Sequence, residues 1–204
     1  MRVGVVVSGG FDSAVLWHMI NKLYEGTGAS VTPYTVPKVD GSIRHANMML
    51  EAYSKHNNIK TIHTRRVGIV DQTNRYPNGA QLLEQLVTGL REILYADIPL
   101  ADVVYTGASP FPSHLVDKFK QIRAPRDRNF TRGTDWEDVC KQPFDSYTKE
   151  QLVGIAIHEG IVDYVKEVTH SCVKQDRGRC GECFWCQERE WAINYYDGLI
   201  DGTN

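Results

Sequence analysis

The first twenty residues, MRVGVVVSGGFDSAVLWHMI, place an apolar run directly before a glycine pair and then an amphipathic pattern. Val3 to Val7 is a continuous β-branched run, which is typical of a strand covered on both faces. From Asp12 onward apolar residues recur with helical spacing, and Gly26 and Gly28 end the pattern. A buried strand that turns into a helix through SGGFDS favours an α/β fold.

Strand and helix patterns continue to alternate along the chain. The further predicted segments are strands at Val31–Val36, Ile59–Val67 and Asp102–Tyr105, and helices at Ala46–His56 and Leu82–Leu94. Pro33 indicates that the second strand lies at an edge or a bend. This alternation predicts a doubly wound, Rossmann-like parallel sheet with helices on both faces.

The carboxyl-terminal part has a different pattern. Thr148-Lys149-Glu150-Gln151 is typical of a capping box that opens a helix through His158. A cysteine cluster follows, and then a helix near Gln187–Tyr196. We therefore predict an α/β domain over residues 1–165 and a small metal-binding segment with a helix over residues 166–204.

Composition narrows the classes of function. Lys and Arg number 23 against 25 Asp and Glu, so charge gives no reason to expect general nucleic-acid or membrane binding. No segment approaches the roughly 18 to 20 apolar residues of a membrane span, and the first apolar run is too short for a signal peptide. We expect a cytoplasmic protein. The oligomeric state is left open, a homodimer included.

The glycine corner has the features of a phosphate site. Ser8, Gly9 and Gly10 follow the strand and precede the helix start, so backbone N–H groups and the helix dipole would meet an anion there. Ser8 and Ser13 offer hydroxyl donors, and Asp12 would suit Mg²⁺ bound to phosphate. The alternative is a plain turn with Asp12 as the helix cap. Neither a Walker motif nor a dinucleotide fingerprint is present.

Four cysteines have the spacing of a closed metal site. The ligand set is Cys172-x7-Cys180-x2-Cys183-x2-Cys186. Four thiolates suit a structural, tetrahedral Zn²⁺, although an iron–sulfur cluster also uses such spacing. Cys140 stands apart, and we expect it to be a buried packing residue.

The corner also resembles a known family. SGGFDS is similar to the SGGxDS loop of the PP-loop ATP pyrophosphatases, also called adenine nucleotide alpha hydrolases. The resemblance implies that the loop holds the pyrophosphate of ATP, with Mg²⁺, while an acceptor oxygen attacks the α-phosphorus. Asp12 and Ser13 would then be catalytic, and Phe11 and Gly107 would belong to the ATP site.

Within that superfamily the carboxyl-terminal end resembles the 7-cyano-7-deazaguanine synthases. THSC at Thr169–Cys172 and the later cysteines match that family's zinc motif, and Lys149 matches its lysine and would be catalytic. Arg44-His45 is similar to the Arg-His pair in the loop that follows the family's second strand, and both residues would bind substrate. The resemblance implies ATP-dependent adenylation of 7-carboxy-7-deazaguanine, reaction with ammonia to an amide, and a second activation to the nitrile used in queuosine biosynthesis. Nucleic acid is not expected as the direct substrate.

Two segments depart from that pattern. A Val-Pro-x-Arg-Asn element is missing around residues 72–79, where the chain has NRYPNGAQLL from Asn74 onward, and residues 109–133 lack the family's substrate segment. The basic stretch Lys118–Arg132 is interpreted as a solvated loop, a closure over anionic groups or a nucleic-acid contact. A relative that adenylates another deazapurine, a macromolecule or a tRNA base is therefore an alternative, as is a non-enzymatic nucleotide-sensing or nucleic-acid-binding module.

Overall fold

The structure is a computed structural model that describes residues 1–37, 41–68, 79–119, 131, 134–172, 174 and 178–200. Its strands are β1 (Arg2–Val6), β2 (Ser30–Thr35), β3 (Arg65–Arg66), β4 (Val103–Thr106) and β5 (Cys140–Lys141). Its helices are α1 (Phe11–Tyr24), α2 (Ser42–His56), α3 (Gly79–Tyr95), α4 (Ser113–Lys118), α5 (Lys149–His158), α6 (Val162–Val168) and α7 (Phe184–Ile200).

The described strands form one five-stranded parallel sheet in the order β3-β2-β1-β4-β5. Val3 of the central strand pairs with Val31 on one side and with Val103 on the other. The chain runs outward through β2 and β3 and then returns to the opposite side of β1 for β4. The switch point predicted for a doubly wound sheet therefore lies between the carboxyl ends of β1 and β4.

Alternating side chains of the sheet pack against two different layers of helices. Val3, Val5 and Val7 belong to a core with buried residues of α1, α2, α5, α6 and α7. Tyr34 and Val104 belong to a second core with the buried face of α3. The prediction of helices on both faces is confirmed, since each face of the sheet is covered by its own apolar cluster.

The first helix begins one residue earlier than its apolar pattern suggested. Its amino-terminal half is buried on nearly all sides, with Trp17 1% exposed, because the helix lies between the sheet and the later helices. Leu23 continues the helical spacing of the apolar residues in the sequence, but it is 60% exposed near the helix end. Which side chains of α1 are buried therefore depends more on where the helix lies in the fold than on its helical period.

Pro33 lies in an interior strand, so the prediction of an edge strand is wrong for β2 as a whole. Pro33 stands opposite Val5 of β1, whereas the described part of β3 pairs with β2 only at Tyr34 and Thr35. At the level of Pro33 itself, β2 therefore has one strand partner, and the missing N–H interrupts no ladder bond in the described residues.

The predicted strand at Ile59–Val67 is mostly wrong, because only Arg65 and Arg66 form β3. Side chains of α2 take the backbone donors that a strand would need. The N–H of Ile62 donates to the Ser54 hydroxyl at 3.2 Å, and the N–H of Thr64 donates to Asn47 Oδ1 at 2.9 Å. This segment therefore lies along α2 instead of extending the sheet.

The later helices agree better with the sequence patterns. The capping prediction is supported by α5, where Thr148 N–H donates to Gln151 Oε1 at 2.9 Å. The last helix starts at Phe184, earlier than predicted, and α6 was not predicted. Most of the basic stretch Lys118–Arg132 lies outside the described residues.

The segment after residue 165 packs on the α/β core. Ala192 of α7 is fully buried in the same apolar cluster as the central strand. The boundary between residues 165 and 166 stays a prediction. In the described part of the chain, no helix combines the length and apolarity required to cross a bilayer.

Candidate functional site at the carboxyl edge of the sheet

The loop between β1 and α1 requires its first glycine. Gly9 has φ +80°, a conformation that L side chains rarely adopt. A β-carbon built on Gly9 would lie 2.6 Å from both the Ala46 nitrogen and His45 Cβ at the start of α2. The loop therefore sits directly on α2, and only glycine permits that contact.

The two serines of the loop have different environments. The buried Ser13 hydroxyl accepts the N–H of Ser8 at 3.2 Å and donates to the carbonyl of Gly10 at 3.0 Å. Ser13 therefore shapes the loop from within. Ser8 is exposed, with its hydroxyl 3.4 Å from that of Ser13, so it faces the side from which a ligand would approach.

The amino-terminus of α1 has an arrangement suited to an anion. Gly10 is the N-cap residue in extended conformation, and no side-chain hydrogen bond caps it. Phe11 follows as a fully buried anchor that fixes where the helix begins. No side-chain cap therefore competes for the first-turn N–H groups and the positive end of the helix dipole. They lie beside the region between the loops after β1 and β4, which we call the crevice.

Asp12 is not the helix cap, because it lies within the first turn of α1. Its carboxylate forms an ion pair with Lys149 through Oδ1 and accepts the Ser109 hydroxyl at 3.0 Å through Oδ2. Ser109 is buried just after β4, and Lys149 is the first residue of α5. Three separate elements therefore meet at this one carboxylate.

A second carboxylate lies on the other side of the lysine. Glu188 of α7 is 2% exposed, and its Oε2 lies 3.5 Å from Lys149 Nζ. The Lys149 side chain is itself only 9% exposed. Little solvent screens these charges, so their mutual attraction is stronger than that of a surface pair.

Gly107 lies where the carboxyl end of β4 meets α1. A β-carbon there would lie 3.3 Å from the Asp12 carbonyl oxygen, so a larger residue would press on the first turn of the helix. The loops after β1 and β4 are thus adjacent, as expected at the switch point of such a sheet.

The predicted pair Arg44-His45 lies in the first turn of α2, which begins at Ser42, and not in a strand-end loop. Arg44 is exposed, while His45 is buried against Gly9. The His45 ring stacks on that of His170, with centroids 3.9 Å apart and planes at 5°. Arg44 Nη2 lies 3.5 Å from His45 Nε2.

The four clustered cysteines could hold a metal ion. The Sγ atoms of Cys172, Cys180, Cys183 and Cys186 all lie within 4.8 Å of one another. Tetrahedral Zn²⁺ with bonds of about 2.3 Å would separate its thiolates by about 3.8 Å. The spacing between Cys180 and Cys186 is 4.0 Å, which is close to that value. The donor set therefore fits one tetrahedral ion.

The thiols differ in their surroundings. The N–H of Cys183 donates to the Cys180 sulfur at 3.3 Å, and this bond, with one from Glu182, lowers the pKa of Cys180 to about 6. Burial raises the pKa of Cys186 to about 12. A bound divalent ion would stabilise the thiolate form of both groups.

Two residues near the cysteines connect them to the loop, and the sequence patterns predicted neither as a site residue. The N–H of His170 donates to the Gly9 carbonyl at 2.8 Å. The buried Arg189 guanidinium donates to the Thr169 carbonyl at 3.1 Å and lies 5.7 Å from the centre of the Phe11 ring. Burial lowers the pKa of Arg189 to about 10, so the group is still charged at neutral pH.

Sequence signals for the missed residues differ in strength. Ser109 follows a predicted strand by a few positions. A hydroxyl residue just after the carboxyl end of a strand is a reasonable candidate for contact with a ligand, so this residue had a sequence signal. Glu188 and Arg189 stand on a helix with no recognisable motif, and their partners lie far away in sequence. Only the packing of α7 against α5 and α6 reveals them.

A separate hollow of about 480 Å³ lies beside α3 and contains none of the candidate residues. It is lined by Arg91, Tyr95, Asp135 and Trp136. The crevice between the loops after β1 and β4 is therefore distinct from this hollow.

No protein-family model matches the chain. Among solved structures, the chain is similar to the U34-tRNA thiolase NcsA from Methanococcus maripaludis, described with its 4Fe-4S cluster. The identity is 12%, the TM-score is 0.49, and the match covers 99% of this chain and 67% of that one. The cluster is a property of that protein.

Proposed function

We propose that this chain is an ATP-dependent enzyme of the PP-loop ATP pyrophosphatase type, which adenylates a carboxylate. One observation carries the proposal. The SGGFDS loop ends the central strand at the switch point, and its Asp12 is held there by Lys149 and Ser109 from two other elements. A glycine loop alone would be a turn, but here the helix that follows it carries a carboxylate held by a lysine and a serine from other parts of the chain.

The loop residues would bind the β- and γ-phosphates of ATP. Backbone N–H groups of Gly9 to Ser13 and the exposed Ser8 hydroxyl supply donors, and Ser13 keeps them in place. Asp12 is the residue that would hold Mg²⁺, which offsets phosphate charge during the reaction. Lys149, which forms an ion pair with Asp12, would stabilise the negative charge that develops on the leaving pyrophosphate.

The adenylation of the carboxylate needs no general base from the protein. A carboxylate oxygen of the acceptor attacks the α-phosphorus, the bond to the β-phosphate breaks, and pyrophosphate leaves. Ammonia then attacks the acyl carbon, AMP departs, and the attacking nitrogen loses one proton to solvent, which leaves the amide. The acceptor is already anionic, so the crevice has only to orient it and stabilise charge.

The acceptor that we propose is 7-carboxy-7-deazaguanine, and its amide is converted by a second adenylation into 7-cyano-7-deazaguanine. The amide oxygen attacks a second ATP and releases pyrophosphate, AMP then leaves with that oxygen, and the amide nitrogen loses both protons to solvent. The proposal depends on the likeness of the cysteine motif, Lys149 and Arg44-His45 to that family of synthases. Arg44, exposed at the start of α2 beside the loop, could pair with the carboxylate of the acceptor. Structural Zn²⁺ would be held by the four cysteines.

A thiolation reaction that uses a persulfide on the isolated cysteine is disfavoured. Cys140 lies on β5 and is 1% exposed. Burial raises the pKa of its thiol to about 12, so at neutral pH almost none of it is thiolate. A sulfur carrier at this position would be both inaccessible and unreactive.

The proposed function is tested with the purified full chain, ATP, Mg²⁺, ammonium and 7-carboxy-7-deazaguanine. We expect AMP, pyrophosphate and the nitrile, measured by mass spectrometry, and no ADP. Turnover with a different acceptor only would contradict the deazapurine assignment, and ATP binding without any turnover would favour a nucleotide sensor. Asp12→Asn should abolish the products, while Asp163→Asn, on an exposed position of α6, should retain them.

A further inference from the structure

The segment just before the cysteine cluster touches the phosphate loop directly. We name residues 169–172, Thr-His-Ser-Cys, the strap. The strap follows α6 and ends with the first cysteine of the cluster, and its His170 N–H donates to the Gly9 carbonyl at 2.8 Å. A β-carbon on Gly10 would lie 3.7 Å from the His170 carbonyl oxygen, so the strap covers both glycines.

The His170 side chain joins three parts of the molecule. Its ring stacks on His45, whose backbone is the surface on which Gly9 rests. Its Nε2–H donates to the carbonyl of Cys172 at 2.8 Å. The orientation of the His170 ring is therefore set by the backbone of Cys172, a candidate metal ligand, and by the His45 ring beside the loop.

Residues after the cluster form two further links to the same loop. Arg189 follows the last cysteine by three positions, donates to carbonyls of Thr169 and Lys166, and lies over the Phe11 ring. Glu188 reaches Lys149, which pairs with Asp12. The strap and α7 thus hold the loop from both ends of the cysteine cluster.

We infer that His170 is a positioning residue through which an ion in the cysteine cluster pre-organises the phosphate loop for ATP. An ion would fix Cys172 relative to Cys180, Cys183 and Cys186, and thereby fix the strap that carries His170. A loop that is ordered before binding loses less conformational entropy when ATP binds. Metal and ATP therefore favour one another's binding, and the coupling is reciprocal.

This inference rests on the proposed ATP site, but part of its test does not need ATP. The test uses the zinc-loaded full chain with His170→Ala, His170→Phe and His63→Ala. His63 is exposed and distant from the strap in sequence, so His63→Ala is a matched control for loss of an imidazole. The measurements are zinc content, the Kd for a non-hydrolysable ATP analogue with Mg²⁺, and amide hydrogen exchange of residues 7–14.

We expect His170→Ala to retain zinc and to show faster amide exchange over residues 7–14. It should also bind the analogue about 3- to 10-fold more weakly, which corresponds to the free energy of one lost ring stack. His170→Phe keeps a ring against His45 and should recover most of the affinity. His63→Ala should match the wild type. Removal of zinc from the wild-type chain should also accelerate exchange over residues 7–14.

Unchanged amide exchange of residues 7–14 in both His170→Ala and the zinc-depleted wild type would overturn the inference. This holds whether or not His170→Ala retains zinc. Equal Kd values for wild type and His170→Ala would overturn it as well. If the wild type fails to bind the analogue, the proposed function fails. The exchange measurements then still decide whether the strap couples the cysteine cluster to the loop.

Discussion

Asp12 and Lys149 are 137 residues apart in sequence and form an ion pair in the crevice between β1 and β4. The pair joins the first turn of α1 to the first turn of α5, and its side chains are 19% and 9% exposed. The pair connects α1 to α5 and places one positive and one negative group beside the loop from Ser8 to Ser13.

Lys149→Met should therefore impair both stability and turnover. Removal of one partner from a largely buried ion pair costs about 3 kcal/mol of unfolding free energy, because Asp12 loses its counter-charge. We also expect loss of pyrophosphate release. Chemical denaturation and a pyrophosphate assay measure the two effects. Lys55→Met, at an exposed site near the end of α2, is the control and should change neither.

Gly9→Ala tests the close approach of the loop to α2. The left-handed backbone alone costs about 1–2 kcal/mol with an L side chain. Gly26 has a similar φ of +72° but nothing within 4 Å of its β-carbon position, so Gly26→Ala isolates that backbone cost. Gly9→Ala should be clearly more destabilising than Gly26→Ala in urea unfolding. Equal losses would mean that His45 and Ala46 do not confine the loop.

The four cysteines should bind about one zinc per chain in a colourless protein. Cobalt substitution should produce the intense visible bands of tetrahedral thiolate coordination. Cys172→Ser should lose the metal, whereas Cys140→Ser, which changes a buried cysteine outside the cluster, should retain it. A brown protein that contains several irons would contradict the zinc assignment.

Glu159 should make stability depend on pH. Hydrogen bonds from Lys22 and then His18, both on α1, lower the pKa of this carboxyl below its ordinary value. A carboxyl with a lowered pKa stabilises the fold above its unfolded pKa, and this contribution is lost as the pH falls through the folded pKa. Urea unfolding should show wild type more stable than Glu159→Gln at pH 7, with the gap closing between about pH 5 and 3. A constant gap would contradict this role.

Local patterns predicted the elements that form the crevice. The apolar run before SGGFDS predicted β1 and α1, and the pattern ending at Thr106-Gly107 predicted β4. These predictions succeeded because a strand buried on both faces and an adjacent glycine corner are dictated by residues close together in sequence.

Contacts between distant residues could not be predicted in the same way. The segment Ile59–Val67 alternates like a strand, yet Ser54 and Asn47 take its backbone donors, and this competition is visible only once α2 is in place. His170 occupies an unremarkable position in the Thr-His-Ser-Cys sequence, and its contact with Gly9 depends on the packing of α6 and α7. Tertiary packing determined both outcomes.

The central claim is that the loop from Ser8 to Ser13 holds the pyrophosphate portion of ATP. A crystal structure of the full chain with Mg²⁺ and α,β-methylene-ATP tests it most directly. We predict β- and γ-phosphate oxygens at about 2.7–3.2 Å from backbone nitrogens of this loop, with Lys149 directed at the phosphates. Phosphates bound elsewhere, with the loop contacting no part of the nucleotide, would contradict the claim.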